Sequence, residues 1–321
     1  MILIVSAEED GHTAAVRAEL TNLGVEARVV DLRQFPTQLA ISLAYANDDA
    51  SALRRINCRK GCDIDLRTVT AVWWRRPQPF GIDPQIVRPS YRAFAYNECH
   101  EAWAGLWETL DVLWVNHPRD DEVAAHKAHQ LDVARSVGLP IPNTLITNDP
   151  MAARRFVENQ NGNGTIYKAF SATEQEWRET RLLRDDEMAL LENVRQAPVI
   201  FQECVRAGLD IRVTVVGDTM FAAAIDSQQT SYAFDFRIDM NSAHVAPHNL
   251  SPHTRAGISA LMSRLRLKYG AIDLRQSDDG REFFLEINPA GQWMFVEERT
   301  GQRITQAVAM LLASKEPHRR Q

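Results

Sequence analysis

Cysteine is scarce: four in 321 residues. Cys58 and Cys62 (CRKGC) are separated by three residues and no second pair follows, so neither a zinc ribbon nor a disulfide framework is signalled. Four free thiols in a reducing compartment is the simpler reading. No apolar run approaches the roughly 20 residues that span a bilayer. The opening MILIV is too short for a signal peptide and lacks a basic flank, so a cytoplasmic location is expected. Positive charge is also in deficit, with 36 Lys and Arg against 42 Asp and Glu. A net charge of −6 gives no basic field for nucleic acid or an anionic membrane, and basic and aromatic residues do not interleave. G-x-G-x-x-G is absent, so dinucleotide binding is not signalled. No Ser-His-Asp or Cys-His nucleophile is evident, and there is no internal repeat.

What the chain has is apolar residue enough, at 45%, for a sizeable core in two or three domains. ILIV (2–5), the amphipathic AAVRAELTNLG closed by Gly24, and VEARVVDL (25–32) predict strand, helix and strand. That is a βαβ unit with parallel pairing. Thr13 is placed to cap the helix, and His12 beside it reads as structural. Further strands are expected at 68–77, 112–118, 140–149, 165–170 and 198–205, and helices at 101–110, 122–137 and 150–159. DIRVTVVGDTMFAAAID (210–226) reads as a hairpin about Gly217-Asp218. A helix over 254–267, the strands YGAIDLR and EFFLEIN about a Ser-Asp-Asp-Gly turn, and a last helix over 302–314 complete a mixed α/β and α+β chain.

Polar side chains interrupt two of the driest segments. In FFLEINPAGQW (283–293), Glu286 and Asn288 share one strand face and Ile287 takes the other. Pairing across the SDDG turn brings Asp273 of GAIDLR towards the same surface. Two carboxylates and an amide oxygen suit a hard cation, Mg²⁺ above all, which completes its shell with water and phosphate. An edge strand with its polar face in water is the plainer alternative. Lys127, on a helix after NHP, and Lys168, ending TIYK, suit phosphate oxygens as point charges. Either lysine read singly is an ordinary snorkelling side chain. FQECVRAGLDIR (201–212) offers backbone groups to the edge of a flat base, flanked by Glu203 and Asp210. Arg212 shares the Asp210 face and either reaches phosphate or is a surface charge on a hairpin. Arg75 and Arg76 end a strand and can meet substrate carboxylates. The acidic RDDEM (184–188) is a solvated face or a contact for a basic partner segment.

Taken in order, Lys127, Lys168, Gln202-Glu203, Asp210-x-Arg212, Asp273 and Glu286-x-Asn288 resemble the ATP-grasp superfamily over the whole chain. FLEINPAGQW is a specific match, stronger in combination with YGAIDLR. VWWRRP, WVNHP, GLPIPNTLITNDP and EINPAGQW…EERTG resemble the branch that macrocyclises ribosomal peptides of the microviridin (graspetide) type. The related ribosomal-protein glutamate ligases share QE…DIR and EIN but lack WRRP and NHP.

The resemblance implies an ATP-grasp fold with an N-terminal pre-ATP-grasp βαβ-type domain (1–117). It also implies a central subdomain (118–197) with the lid and leader-peptide dock, and a C-terminal subdomain (198–321) with the metal site. Lys127 and Lys168 would hold ATP phosphates. Gln202 and Glu203, with the backbone of Cys204 and Val205, would bind adenine, and Asp210 the ribose. Asp273, Glu286 and Asn288 would ligate Mg²⁺, as two ions. Arg212 and Arg275 would face the transferred phosphoryl group or an acyl phosphate. One departure stands out: no glycine-rich loop follows Lys168 in KAFSATEQEW, which leaves Ser171 or Thr173 for the lid contact.

The implied reaction activates an Asp or Glu side chain of a precursor peptide as an acyl phosphate and closes it onto a Ser or Thr hydroxyl or a Lys amine. The implied partners are that peptide, with its leader, and a second copy of the chain in a homodimer, with neither nucleic acid nor membrane. Two alternatives stay open: a ligase adding an amino acid to a protein terminus or small acceptor, and a silent ATP-binding partner of another ligase.

Overall fold

Four short apolar stretches of the first 119 residues pair side by side in the computed structural model, which describes residues 1–47, 53–58, 63–160, 164–170, 180–226 and 243–314. The chain divides into two compact units. One is Met1–Arg119 with the chain from Arg303 onward, and the other is Asp120–Gln302.

The first unit runs β1 (Ile2–Val5), α1 (Gly11–Asn22), β2 (Ala27–Val30), β3 (Leu39–Ala44), β4 (Leu53–Cys58), β5 (Asp63–Asp65), β6 (Ala71–Trp74), α2 (Pro89–Glu108) and β7 (Leu113–Val115). A parallel sheet of order β2-β1-β6-β7 bears out the βαβ opening. Asp10 caps α1, accepting from the Thr13 N–H at 2.7 Å, so the capping residue is Asp10 and not Thr13. Asp fits because its carboxylate reaches an N–H that the first turn leaves unpaired. Thr13 turns its hydroxyl to Ser6 Oγ at 2.9 Å. Trp103, Leu106 and Trp107 of α2 pack with Leu3, Val5 and Val72. The last helix among the described residues, α8 (Ile304–Ala313), lies with α1 and β6. Strands β3, β4 and β5 form a separate antiparallel sheet that sequence reading did not anticipate.

The second unit runs α3 (Pro118–Ala125), α4 (Lys127–Ser136), β8 (Thr144–Thr147), α5 (Pro150–Glu158), β9 (Thr165–Lys168), β10 (Arg181–Leu182), a 3-10 stretch Asp185–Gln196, β11 (Val199–Glu203), β12 (Ala207–Val216), β13 (Thr219–Asp226), β14 (His244–Pro247), α6 (Pro252–Arg264), β15 (Tyr269–Ser277), β16 (Glu282–Asn288) and α7 (Met294–Thr300). The helix expected over 122–137 is two helices, parted at His126, whose extended backbone starts α4 with Lys127. An antiparallel sheet of order β10-β9-β11-β8 holds β11, expected to go with the C-terminal strands. A larger antiparallel sheet has order β14-β13-β12-β15-β16. Its β12–β13 hairpin turns at Gly217-Asp218, as the sequence predicts. Residues 303–314, expected to close this C-terminal region, fall with the first unit.

One face of the five-stranded sheet is apolar. Ile211, Val213, Ile272, Leu274, Phe284 and Ile287 pack with Ile258, Leu261 and Met262 of α6. Alternation then sends Asp210, Arg212, Asp273 and Arg275 to the opposite face. On β16 the alternation is interrupted: Phe284 pairs with Leu274, but Glu286 pairs with Asp273, a register shift at Leu285. That bulge puts Ile287 back on the apolar face and Glu286 beside Asp273. Without it, Leu285 would stand opposite Asp273.

Candidate active site

Three consecutive strands bring charges into register. Arg212 of β12 lies opposite Asp273 of β15, and Asp273 opposite Glu286 of β16. Arg212 Nη1 is 2.7 Å from Asp273 Oδ1, and Lys127 Nζ, reaching from α4, is 2.7 Å from Glu286 Oε2. The result is a row of two carboxylates with a cation at each end. Asn288 lies two residues beyond Glu286, and its Oδ1 accepts the Ala290 N–H at 3.0 Å, which shapes the NPAG turn. Arg212 is buried at 8% exposure. Burial opposes its charge, but Asp273 outweighs that and raises its pKa.

The turn that follows β16 is tied to the same row. Arg212 Nη2 donates to Gln292 O at 3.0 Å, and the Tyr269 hydroxyl donates to Gly291 O at 2.7 Å. A Cβ on Gly291 would come within 2.3 Å of the Ala271 Cβ and 3.1 Å of Arg212 Nη2. Close approach, not turn geometry, therefore demands glycine there. Sequence reading singled out neither Gly291 nor Tyr269; a glycine after Asn-Pro-Ala is the one signal that could have found the first.

Arg275 and Asp210 are also register partners, with Nη1 3.0 Å from Oδ1, and Arg275 Nε donates to Val205 O at 3.0 Å. They engage each other here, and the Val205 carbonyl faces the guanidinium. Glu203 Oε2 accepts from Asn143 Nδ2 at 2.8 Å, and the Cys204 N–H donates to Gly164 O. Lys168 Nζ donates to Gln202 Oε1 at 3.4 Å, while Gln202 Nε2 donates to Thr144 Oγ1. Ser171 and Thr173 lie outside the described residues. In RDDEM, Asp185 and Asp186 are exposed, but Glu187 is buried and accepts the Arg184 N–H at 3.0 Å. Cys99 and Cys204 are buried free thiols; Cys62 and the Cys58 side chain fall outside the described residues.

Arg75 and Arg76 belong to the first unit, just past β6. Arg75 is 1% exposed, with Nε 3.7 Å from Asp10 Oδ1 and its guanidinium 6.0 Å from the Trp73 ring centre. Arg76 turns the chain at φ +54°. Burial, then the charge of Arg75, holds His12 down to a pKa of about 4. Asp10 is also held low: burial opposes its charge, but Arg75 and the Thr13 N–H outweigh it.

The donor set fits a hard divalent cation. Two register-matched carboxylates with an amide oxygen beyond them are the few protein oxygens that Mg²⁺ takes when phosphate and water fill its shell. Among the described residues no group of three or more His, Cys, Asp or Glu gathers for a metal, so a closed zinc-type cage is not offered.

A model of the RimK-like ATP-grasp domain matches residues 124–312, more than half of the chain. The chain belongs to the RimK-like ATP-grasp family. An MvdD pre-ATP-grasp domain model matches residues 1–122. Among solved structures, macrocyclase MdnC from Microcystis aeruginosa MRC, bound with precursor peptide MdnA, is 28% identical. The match covers 98% of this chain and 99% of that one, with a TM-score of 0.86. A Chryseobacterium gregarium RiPP-associated ATP-grasp ligase, in complex with ADP and a leader and core peptide, is 25% identical at TM-score 0.88, covering 98% and 97%. ATP-grasp ligase PsnB, complexed with minimal precursor, Mg and ADP, is 25% identical at TM-score 0.78, covering 97% and 96%. No curated protein matches in sequence. The resemblance read from FLEINPAGQW and YGAIDLR thus holds for family and fold: the chain is an ATP-grasp ligase. No helix among its described residues is long and apolar enough to cross a membrane.

Proposed function

We propose that this ligase condenses side chains within a ribosomal precursor peptide, consuming ATP. The observation that carries the reading is the row Arg212, Asp273, Glu286 and Lys127, which gathers two cations and two carboxylates on one sheet face. The peptide-bound relatives of matching length support the choice of substrate.

A carboxylate resists attack because oxide would have to leave. Transfer of the γ-phosphoryl of ATP to an Asp or Glu side chain gives an acyl phosphate and ADP. A Ser or Thr hydroxyl, or a Lys amine, then attacks the acyl carbon, and phosphate leaves with the bond to oxygen. An ester or amide forms and the nucleophile's proton is released. The protein's share is position and charge. Lys127 and Arg212 exchange their carboxylate partners for phosphate oxygens as nucleotide enters. Asp273, Glu286 and Asn288 would hold Mg²⁺, as two ions, which when bound would supply charge neutralisation at the transferred phosphoryl group. Lys168 grips phosphate; Gln202, Glu203 and the backbone of Cys204 and Val205 meet adenine, and Asp210 the ribose. Arg275 leaves Asp210 to serve the acyl phosphate, and Arg75 and Arg76 receive substrate carboxylates. The protein works in the cytoplasm as a homodimer.

Mass spectrometry tests the reading, with the chain, ATP, Mg²⁺ and short candidate precursor peptides rich in Thr, Ser, Asp and Glu. Loss of one water per bond, with ADP formed, is expected. A gain in peptide mass would replace the reading with addition of a separate amino acid, and an unchanged mass with bound ATP would leave a silent nucleotide-binding protein.

A further inference from the structure

Among the described residues β16 is the outer strand of its sheet, so Ile287, which separates Glu286 from Asn288, has no neighbouring strand there on one side. Unpaired backbone at that point would be costly, because Ile287 is fully buried. One side chain takes the place of the missing strand. Gln130 Oε1 accepts the Ile287 N–H at 3.1 Å, and Gln130 Nε2 donates to Ile287 O at 2.8 Å. Both bonds to one residue is what a paired antiparallel strand supplies. The second Nε2 hydrogen goes to Ala124 O at 2.7 Å, near the end of α3. Gln130 is 1% exposed, and both of its donors and its acceptor are engaged.

The placement links the two halves of the charge row. Gln130 sits one turn after Lys127 on α4, and its amide grips the backbone between Glu286 and Asn288. The Lys127–Glu286 ion pair joins the same helix to the same strand. Gln130 also ties back to α3 across the break at His126 that lets α4 begin with Lys127. An apolar side chain of equal volume would fill the space and hold helix to sheet. It would not fix the rotation of the strand about its axis, and that rotation aims Glu286 and Asn288.

We propose that Gln130 is a positioning residue: by clamping both backbone groups of Ile287 it holds Glu286 and Asn288 in register with Lys127 for metal-bound nucleotide. The inference rests on the ATP-grasp reading of that row. Gln130 acts through the backbone, because its amide groups are spent on Ile287 and Ala124.

The test is ADP binding by titration calorimetry, with and without Mg²⁺, on the full chain and on Gln130→Met, close to isosteric but unable to make the clamp. Hydrogen exchange at the Ile287 amide is followed alongside. Expected for the variant are unchanged ADP affinity without Mg²⁺, a Mg²⁺-dependent gain reduced about tenfold or more, the usual cost of losing a group that orients a ligand, and faster exchange at Ile287. A wild-type Mg²⁺ gain in Gln130→Met would overturn the proposal, whatever its melting temperature, because Gln130 would then be structural only. Should Gln130→Met not fold, Gln130→Asn keeps the amide and withdraws it by one methylene, and the same gain decides. A wild-type chain whose ADP affinity ignores Mg²⁺ would bring down the metal reading itself, a failure visible before any variant is made.

Discussion

The parallel sheet of the first unit and the five-stranded antiparallel sheet of the second treat charge in opposite ways. In the parallel sheet the middle is dry, with Leu3, Ile4, Val5 and Val72 at 0% exposure. Helices lie on both faces, so polar groups gather only past the strand ends, where Arg75, Asp10 and His12 meet. In the antiparallel sheet one face carries the core, and the other carries Arg212, Asp273 and Glu286 side by side on β12, β15 and β16. Strand register sets the spacing there, and strand centres are stiffer than loops. A sheet with one apolar and one polar face can therefore hold reacting charges in fixed alignment, whereas a sheet apolar on both faces can present them only from its loops.

The comparison breaks most readily at the row. Asp273→Asn and Glu286→Gln should each lower turnover by about 10²-fold or more while circular dichroism stays native; turnover near wild type would place the chemistry elsewhere. Stability against pH sharpens the other side. Unfolded His12 takes a proton near 6.5 but folded His12 only near 4, so in between the unfolded chain binds more protons and stability falls as pH drops. The loss should approach about 3 kcal/mol by pH 4, read from denaturant midpoints. His12→Asn should flatten that slope. Asp10, held low chiefly by Arg75 and the Thr13 N–H against the pull of burial, adds a loss below its ordinary 3.8. Gly291→Ala should cost about 2 kcal/mol by overpacking against Ala271 and should displace Arg212, seen as a lower melting temperature with reduced turnover. Lys168→Ala, in the smaller sheet outside the comparison, should weaken ADP binding about tenfold, close to one charge-assisted hydrogen bond. An unchanged affinity would remove Lys168 from the nucleotide site.

Periodicity made much of this legible. ILIV and its helix, the GD hairpin and the pairing of GAIDLR with EFFLEIN all follow from alternation and turn chemistry. The bulge at Leu285 does not, since the apolar run Phe283-Phe284-Leu285 does not show which residue is the extra one. LRRINC (53–58) hid β4 because its arginines interrupt the apolar pattern. Helix α2 starts twelve residues before its expected beginning, as Tyr91 and Phe94 face solvent and blur the helical period. Gln130 was illegible for a plainer reason: a buried glutamine is written like an exposed one, and only tertiary contact tells them apart.

Helix α8 packs with α1 and β6, yet the 183 residues of the second unit, 120 to 302, separate it from the rest of the first. During synthesis the parallel sheet emerges early and stays without that helix until residues 304–313 arrive. The second unit, continuous in the chain, has everything it needs before then. The later-made unit can therefore finish first, and the first unit is completed last, by residues 304–313.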